Sequence, residues 1–120
     1  MASKRPTGVN FHKVSRILEL SYGDGSNFKL PTEYLRVYSP SAEVQGHGPG
    51  QDVLQLGKQD VNISRIEPVG HYALRLVFDD NHDTGIYSWE YLYYLGADYE
   101  HKWKTYLDRL AEAGHERKTD

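Results

Sequence analysis

The chain of 120 residues has no cysteine, one methionine, and no long apolar run. Without cysteine it can form no disulfide, zinc ribbon or thiolate cluster and can use no cysteine nucleophile, a composition that fits a reducing compartment. No stretch approaches the roughly 18 apolar residues of a membrane helix. The N-terminus MASKRPTGVNFHK is basic but lacks the apolar core of a signal peptide. The expectation is a cytoplasmic protein with no membrane partner. Positive charge is not in excess either: 14 Lys and Arg against 17 Asp and Glu give a net charge of −3, which argues against a nucleic-acid partner. Internal repeats and low-complexity blocks are also missing. What is abundant is tyrosine, ten in all, a side chain whose apolar ring and polar tip suit half-buried positions and interfaces.

A chain of this length builds one core. Residues 1–12 read as a flexible arm, 13–114 as a single domain and 115–120 as a polar tail. VSRILELSYGDGSNFKL (14–30) reads as a β-hairpin turning at Gly23-Asp24-Gly25. Pro31 then opens a short helix, with Tyr34, Leu35 and Tyr38 on one face, which Pro40 ends. Residues 39–57 form a long loop punctuated by glycine and proline; a loop of that length inside a small domain is commonly functional or disordered. Two strands follow, near 62–69 and 72–78, then a turn at Asn81-His82-Asp83 and a short strand Gly85-Ile86-Tyr87. Ser88 can cap a helix that Gly96 closes, and Asp98 can cap a last helix over 99–114. The fold class expected is α+β: a small, mostly antiparallel sheet, a short helix, the long loop, and one or two C-terminal helices packed on one side.

Few constellations carry chemistry. GHGPGQ (46–51) is glycine-rich, but it does not lie between a strand and a helix N-terminus as a phosphate-cradling loop does. Ser39, Ser41 and Ser88 lack a nucleophile-elbow context. Asp79, Asp80 and Asp83 read first as turn formers, although with His82 they could make an acid–base group beside a pocket. Imidazole is a good ligand for iron or zinc, so His82 with His47 and Glu43 is a candidate metal set. YSWEYLYYL (87–95) holds more aromatics than one helix face can bury, so Tyr87, Tyr91 and Tyr94 are candidates for a partner surface.

LELSYGDGSNFKLPTEYLRVYSPSAEVQGHG, followed by F-x-D-x-H-x-x-G-I-Y-S-W-E-Y-L over 78–92, resembles the γ-butyrobetaine hydroxylase-like N-terminal domain family. The resemblance spans roughly residues 14–98 and implies a small stand-alone bacterial member. Family domains also precede the catalytic domain of γ-butyrobetaine and trimethyllysine hydroxylases, or are joined to iron–sulfur carrier NTPases. In the hydroxylases the resemblance implies a structural zinc held by a C-P-C-x-x-C run and one histidine. Here Leu35-Arg36 and Pro40 match, the cysteines fall on Ser39, Ser41 and Val44, and the histidine falls on His82. Hydroxyls and a valine cannot replace thiolates around zinc. His82 is therefore expected to pin the 39–47 loop by a hydrogen bond to Ser39, Ser41 or a carbonyl.

Three functions follow as expectations. The leading one is a non-catalytic protein-interaction module with no cofactor and an unidentified protein partner, self-association included, in the context of iron–sulfur or metalloprotein biogenesis. The alternative is an iron or zinc protein built on His82, His47 and Glu43. The third is an enzyme using the 79–83 acids.

Overall fold

The first four elements are three strands and a helix: β1 (Gly8–His12), β2 (Ile17–Ser21), β3 (Asn27–Pro31) and α1 (Thr32–Val37). The computed structural model describes residues 5–46 and 53–115. β1, β2 and β3 form an antiparallel sheet in that order. Alternation along β2 buries Leu18 and Leu20. The β2–β3 turn closes through the Tyr22 N–H on Ser26 O, with Gly25 at φ +90°. Residues 8–12, assigned to an arm by their basic composition, are the edge strand of this sheet, Val9 opposite Leu20 and Phe11 opposite Leu18. The polar alternation of an exposed edge strand hides it from a composition argument.

The second sheet holds β4 (Ile63–Val69), β5 (Ala73–Phe78) and β6 (Gly85–Ser88), again antiparallel and in sequence order. The strand content thus divides into two small sheets. Asn81 at φ +70° reverses the chain after β5, and the Phe78 N–H donates to His82 O. Between the sheets the long loop contains one helical turn, α2 (Ala42–Gln45), capped by Ser41, whose hydroxyl accepts from the Glu43 N–H. Helices α3 (Trp89–Ala97) and α4 (Tyr99–Glu112) complete the α+β fold. Ser88 caps α3 as expected, its hydroxyl accepting from the Tyr91 N–H; Asp98 makes no such side-chain bond at α4. Among the described residues no helix is long and apolar enough to cross a membrane.

All six residues of α1 are buried, and so short a helix leaves terminal carbonyls without intrahelical donors. The Tyr38 and Ser39 N–H groups cover Tyr34 O and Arg36 O, and tyrosine hydroxyls reach Leu35 O and Tyr38 O. Tyr87 donates to Leu35 O, and Tyr91 donates 2.6 Å to Tyr38 O just past the helix end. In return Tyr34 donates 2.6 Å to Leu95 O in the last turn of α3, and Tyr38 donates 2.7 Å to Lys102 O in α4. Tyr106 of α4 donates to the Glu33 carboxylate at 2.7 Å, and the Thr32 hydroxyl to Val61 O at 2.7 Å. Each bond crosses between elements far apart in sequence, so α1 is the hub on which the second sheet and both C-terminal helices are fastened, while the Thr32 N–H on Arg16 O ties it back to the start of β2. Part of the tyrosine excess is therefore internal: the rings of Tyr34, Tyr38, Tyr87 and Tyr91 pack inside while their hydroxyls satisfy backbone acceptors.

Candidate functional site: a polar clasp and a tyrosine–lysine groove

His82 follows the reversal after β5 and is 3% exposed. Its Nε2 lies 2.8 Å from Ser39 Oγ and its Nδ1 3.1 Å from Glu43 Oε2. An ionised carboxylate only accepts, so Nδ1 carries the proton and donates to Glu43, leaving Nε2 to accept the Ser39 hydroxyl proton. Ser39 Oγ in turn accepts the Ser41 N–H at 3.2 Å. A second strut runs alongside, Ser41 Oγ to Thr84 Oγ1 at 2.6 Å. Three side-chain bonds thus clasp residues 39–43 to residues 82–84. Burial, then the nearby Arg36 charge, lowers the His82 pKa from its ordinary value, against the opposing pull of Glu43. The shift favours the neutral ring.

The expected hydrogen bond from His82 to Ser39 is present. The hydroxyl–imidazole–carboxylate order has the connectivity of a hydrolase relay, yet Ser39 is 0% exposed. The backbone at Gly85 crowds its oxygen so closely that a Cβ there would sit 2.6 Å away. No substrate carbonyl can reach this hydroxyl, and the relay serves as a clasp. The zinc implied by the resemblance does not fit these residues: Val44 is buried and offers no donor, the two serines are neutral hydroxyls already bonded, and both nitrogens of His82 are engaged. Of the candidate iron or zinc set, Glu43 and His82 are brought together, while His47 lies outside the described residues. Among the described residues no group of three or more His, Cys, Asp or Glu could hold a metal ion.

Two acids of the 78–83 turn brace the local structure. Asp80 receives Arg36 Nε at 2.9 Å and Lys58 Nζ at 2.7 Å on one oxygen, and the His82 N–H on the other. Burial raises its carboxyl, but the bonds from Lys58 and Arg36 prevail and hold it below the usual carboxylate value. Asp79 accepts the Asn62 N–H, tying the turn to the start of β4. Asp83 is exposed. None of the three, nor His82, lines the cavity described below.

The aromatic candidates separate sharply. Tyr87, expected at a partner surface, is 0% exposed. It belongs to β6, where Gly85 and Tyr87 face inward and Ile86 outward, so strand alternation governs it and the helix begins only at Trp89. Tyr91 is half-buried, its hydroxyl on Tyr38 O and its pKa pushed up to about 12, chiefly by burial. Tyr94 is 51% exposed and is the member of the trio that presents a surface. It borders a cavity of about 230 Å³ between α1, α2, the 53–55 segment, α3 and α4. Lys102 reaches over this groove with its ammonium 4.5 Å from the Tyr94 ring centre and 5.0 Å from that of Tyr38. Lys102, Tyr106 and Arg109 all line it from α4; spaced by four and three, they share one helix face. Tyr106 is 3% exposed, and the spacing of the two cations flanking it is visible in the sequence.

A model of the "Gamma-butyrobetaine hydroxylase-like, N-terminal" family matches residues 9–93. The chain is similar to two proteins of known NMR solution structure. One is 48% identical, covering 99% of this chain and 94% of the other, with a TM-score of 0.84. The second is 50% identical over 96% of this chain and 86% of its own, with a TM-score of 0.80. A crystal structure of a protein of unknown function from Acidithiobacillus ferrooxidans ATCC 23270, of the DUF971 family, is 37% identical. That alignment covers 78% of this chain and 94% of the other, with a TM-score of 0.66. No curated protein matches.

Proposed function

The chain belongs to the gamma-butyrobetaine hydroxylase-like N-terminal domain family, and from that premise we propose that it is a non-catalytic protein-interaction module whose contact surface is the groove beneath Tyr94. The observation carrying this reading is the exposed Tyr94 beside Val53, 51% and 54% accessible, over an open cavity, while the other polar constellation, the Ser39–His82–Glu43 clasp, is closed to substrate. Exposed aromatic and branched apolar side chains at a cavity rim are the usual anchors of protein recognition. A role beside iron–sulfur or metalloprotein biogenesis extends this proposal on the family's domain fusions alone.

A photo-crosslinking phenylalanine analogue placed at Tyr94, with a second at the somewhat more exposed Tyr72 as control, tests the surface in cells. A discrete crosslinked protein from position 94 alone supports the proposal; equal, diffuse labelling from both positions removes it. A band at twice the chain mass would make the partner a second copy. The metal reading keeps one supporting observation, the Glu43–His82 contact of 3.1 Å. Elemental analysis of untagged protein beside its His82→Ala variant decides it: near-stoichiometric iron or zinc in the parent alone would put metal handling first.

A further inference from the structure

The groove's charge and size narrow its occupant. The whole chain carries net charge −3, yet among the described residues no acidic side chain lines this cavity, whereas Lys102 and Arg109 both do. Lys102 joins none of the ion pairs formed among the described residues. Its neighbour two positions on, Lys104, pairs with Asp108 at 2.8 Å, and Lys58 pairs with Asp80 at 2.7 Å. Lys102 instead rests between two tyrosine faces. Cation–π contacts hold an ammonium in place without neutralising it, so its charge remains available to a carboxylate. Below it, Val37, Val44 and Leu54 make an apolar floor. A volume of about 230 Å³ falls short of the roughly 300–1,000 Å³ of most small-molecule pockets and suits one large side chain.

We propose that the groove receives an acidic peptide segment of a partner protein, one apolar or aromatic side chain entering the cavity while a flanking carboxylate meets Lys102. This inference rests on the interaction reading above. The segment's side chain stacks against Tyr91 and Tyr94.

Two capped hexapeptide pools test it against the full chain by amide chemical-shift mapping: Asp-Glu-Φ-Φ-Glu-Asp and its neutral counterpart Asn-Gln-Φ-Φ-Gln-Asn, with Φ drawn from Phe, Leu, Tyr and Trp. The acidic pool is expected to shift resonances of Tyr94, Lys102 and Val53, and to weaken as salt is raised. Lys102→Gln should reduce its affinity about fivefold to tenfold, while Lys102→Arg and the solvent-side Lys104→Gln retain it. The amide spectrum of each variant reports its folding directly. Equal binding of both pools at these residues would leave the interaction surface standing and overturn its acidic preference. Shifts confined to other residues, or none with either pool at millimolar concentration, would overturn both readings.

Discussion

Protonating His82 would remove the acceptor that the Ser39 hydroxyl uses and place a charge beside Arg36 in a buried site. The folded chain therefore binds this proton less readily than the unfolded one, whose histidine has its ordinary pKa of about 6.5. Stability rises with pH wherever the unfolded state holds more protons. The contribution of the neutral ring is thus complete above about pH 6.5, and is lost progressively as pH falls from there through the depressed folded value. Urea midpoints measured from pH 8 down to pH 5 should show this loss, and His82→Gln should flatten that limb while lowering stability at pH 8. An unchanged slope in the variant would assign the acid limb to other groups. The contact with Ser39 was legible because the resemblance aligned Ser39 and His82 as former co-ligands. The role of Glu43 as the second partner of the ring depends on α2, which a glycine-punctuated loop does not announce.

At the scale of elements, Gly96 shows a helix position read for the wrong reason. Its sequence context suggests a terminator, yet α3 continues through Ala97. What requires glycine is the close approach of β3: a Cβ at Gly96 would lie 2.2 Å from the Phe28 ring. In an isolated helix Gly→Ala gains about 1 kcal/mol, whereas overpacking a core contact costs about 1–3 kcal/mol. Contact with an aromatic ring held edge-on by both Tyr22 and Tyr93 leaves little room to yield, so the cost prevails. Gly96→Ala should lower the unfolding free energy by roughly 1–2 kcal/mol, read from denaturant melts; a stabilised variant would show that Phe28 moves aside freely. The same scale explains Tyr87. Whether a tyrosine obeys a period of two or of 3.6 depends on where β6 gives way to α3, and the aromatic run 87–95 continues across that boundary without interruption.

For the whole molecule, α1 and Tyr38 just past it are joined to the second sheet and α3 by tyrosine bonds to backbone acceptors, while the clasp of Ser39, Ser41, Glu43, His82 and Thr84 holds the loop to the second sheet. The hydroxyls and imidazole of that clasp satisfy one another, so its closure requires no ion. Melting temperatures of untagged protein in excess EDTA and in excess zinc should therefore coincide. A rise with zinc would signal binding to the native state by mass action, and would return Glu43 and His82 to the candidate ligands.

The sequence by itself determined the α+β class, the hairpin with its Gly25 turn, the Ser88 cap, the family, and the loss of a thiolate zinc site, because these rest on local backbone preference, alternation and residue chemistry. Only the tertiary structure decided that residues 8–12 complete a sheet, that the strands divide in two, that Tyr87 is interior and Tyr94 is not, and that Lys102 and Arg109 border one groove. Those outcomes depend on which distant atoms meet. Ten tyrosines are equally compatible with a sticky surface and with a bolted core, and it is the positions of the carbonyls of Leu35, Tyr38, Leu95 and Lys102 that choose the core for four of them.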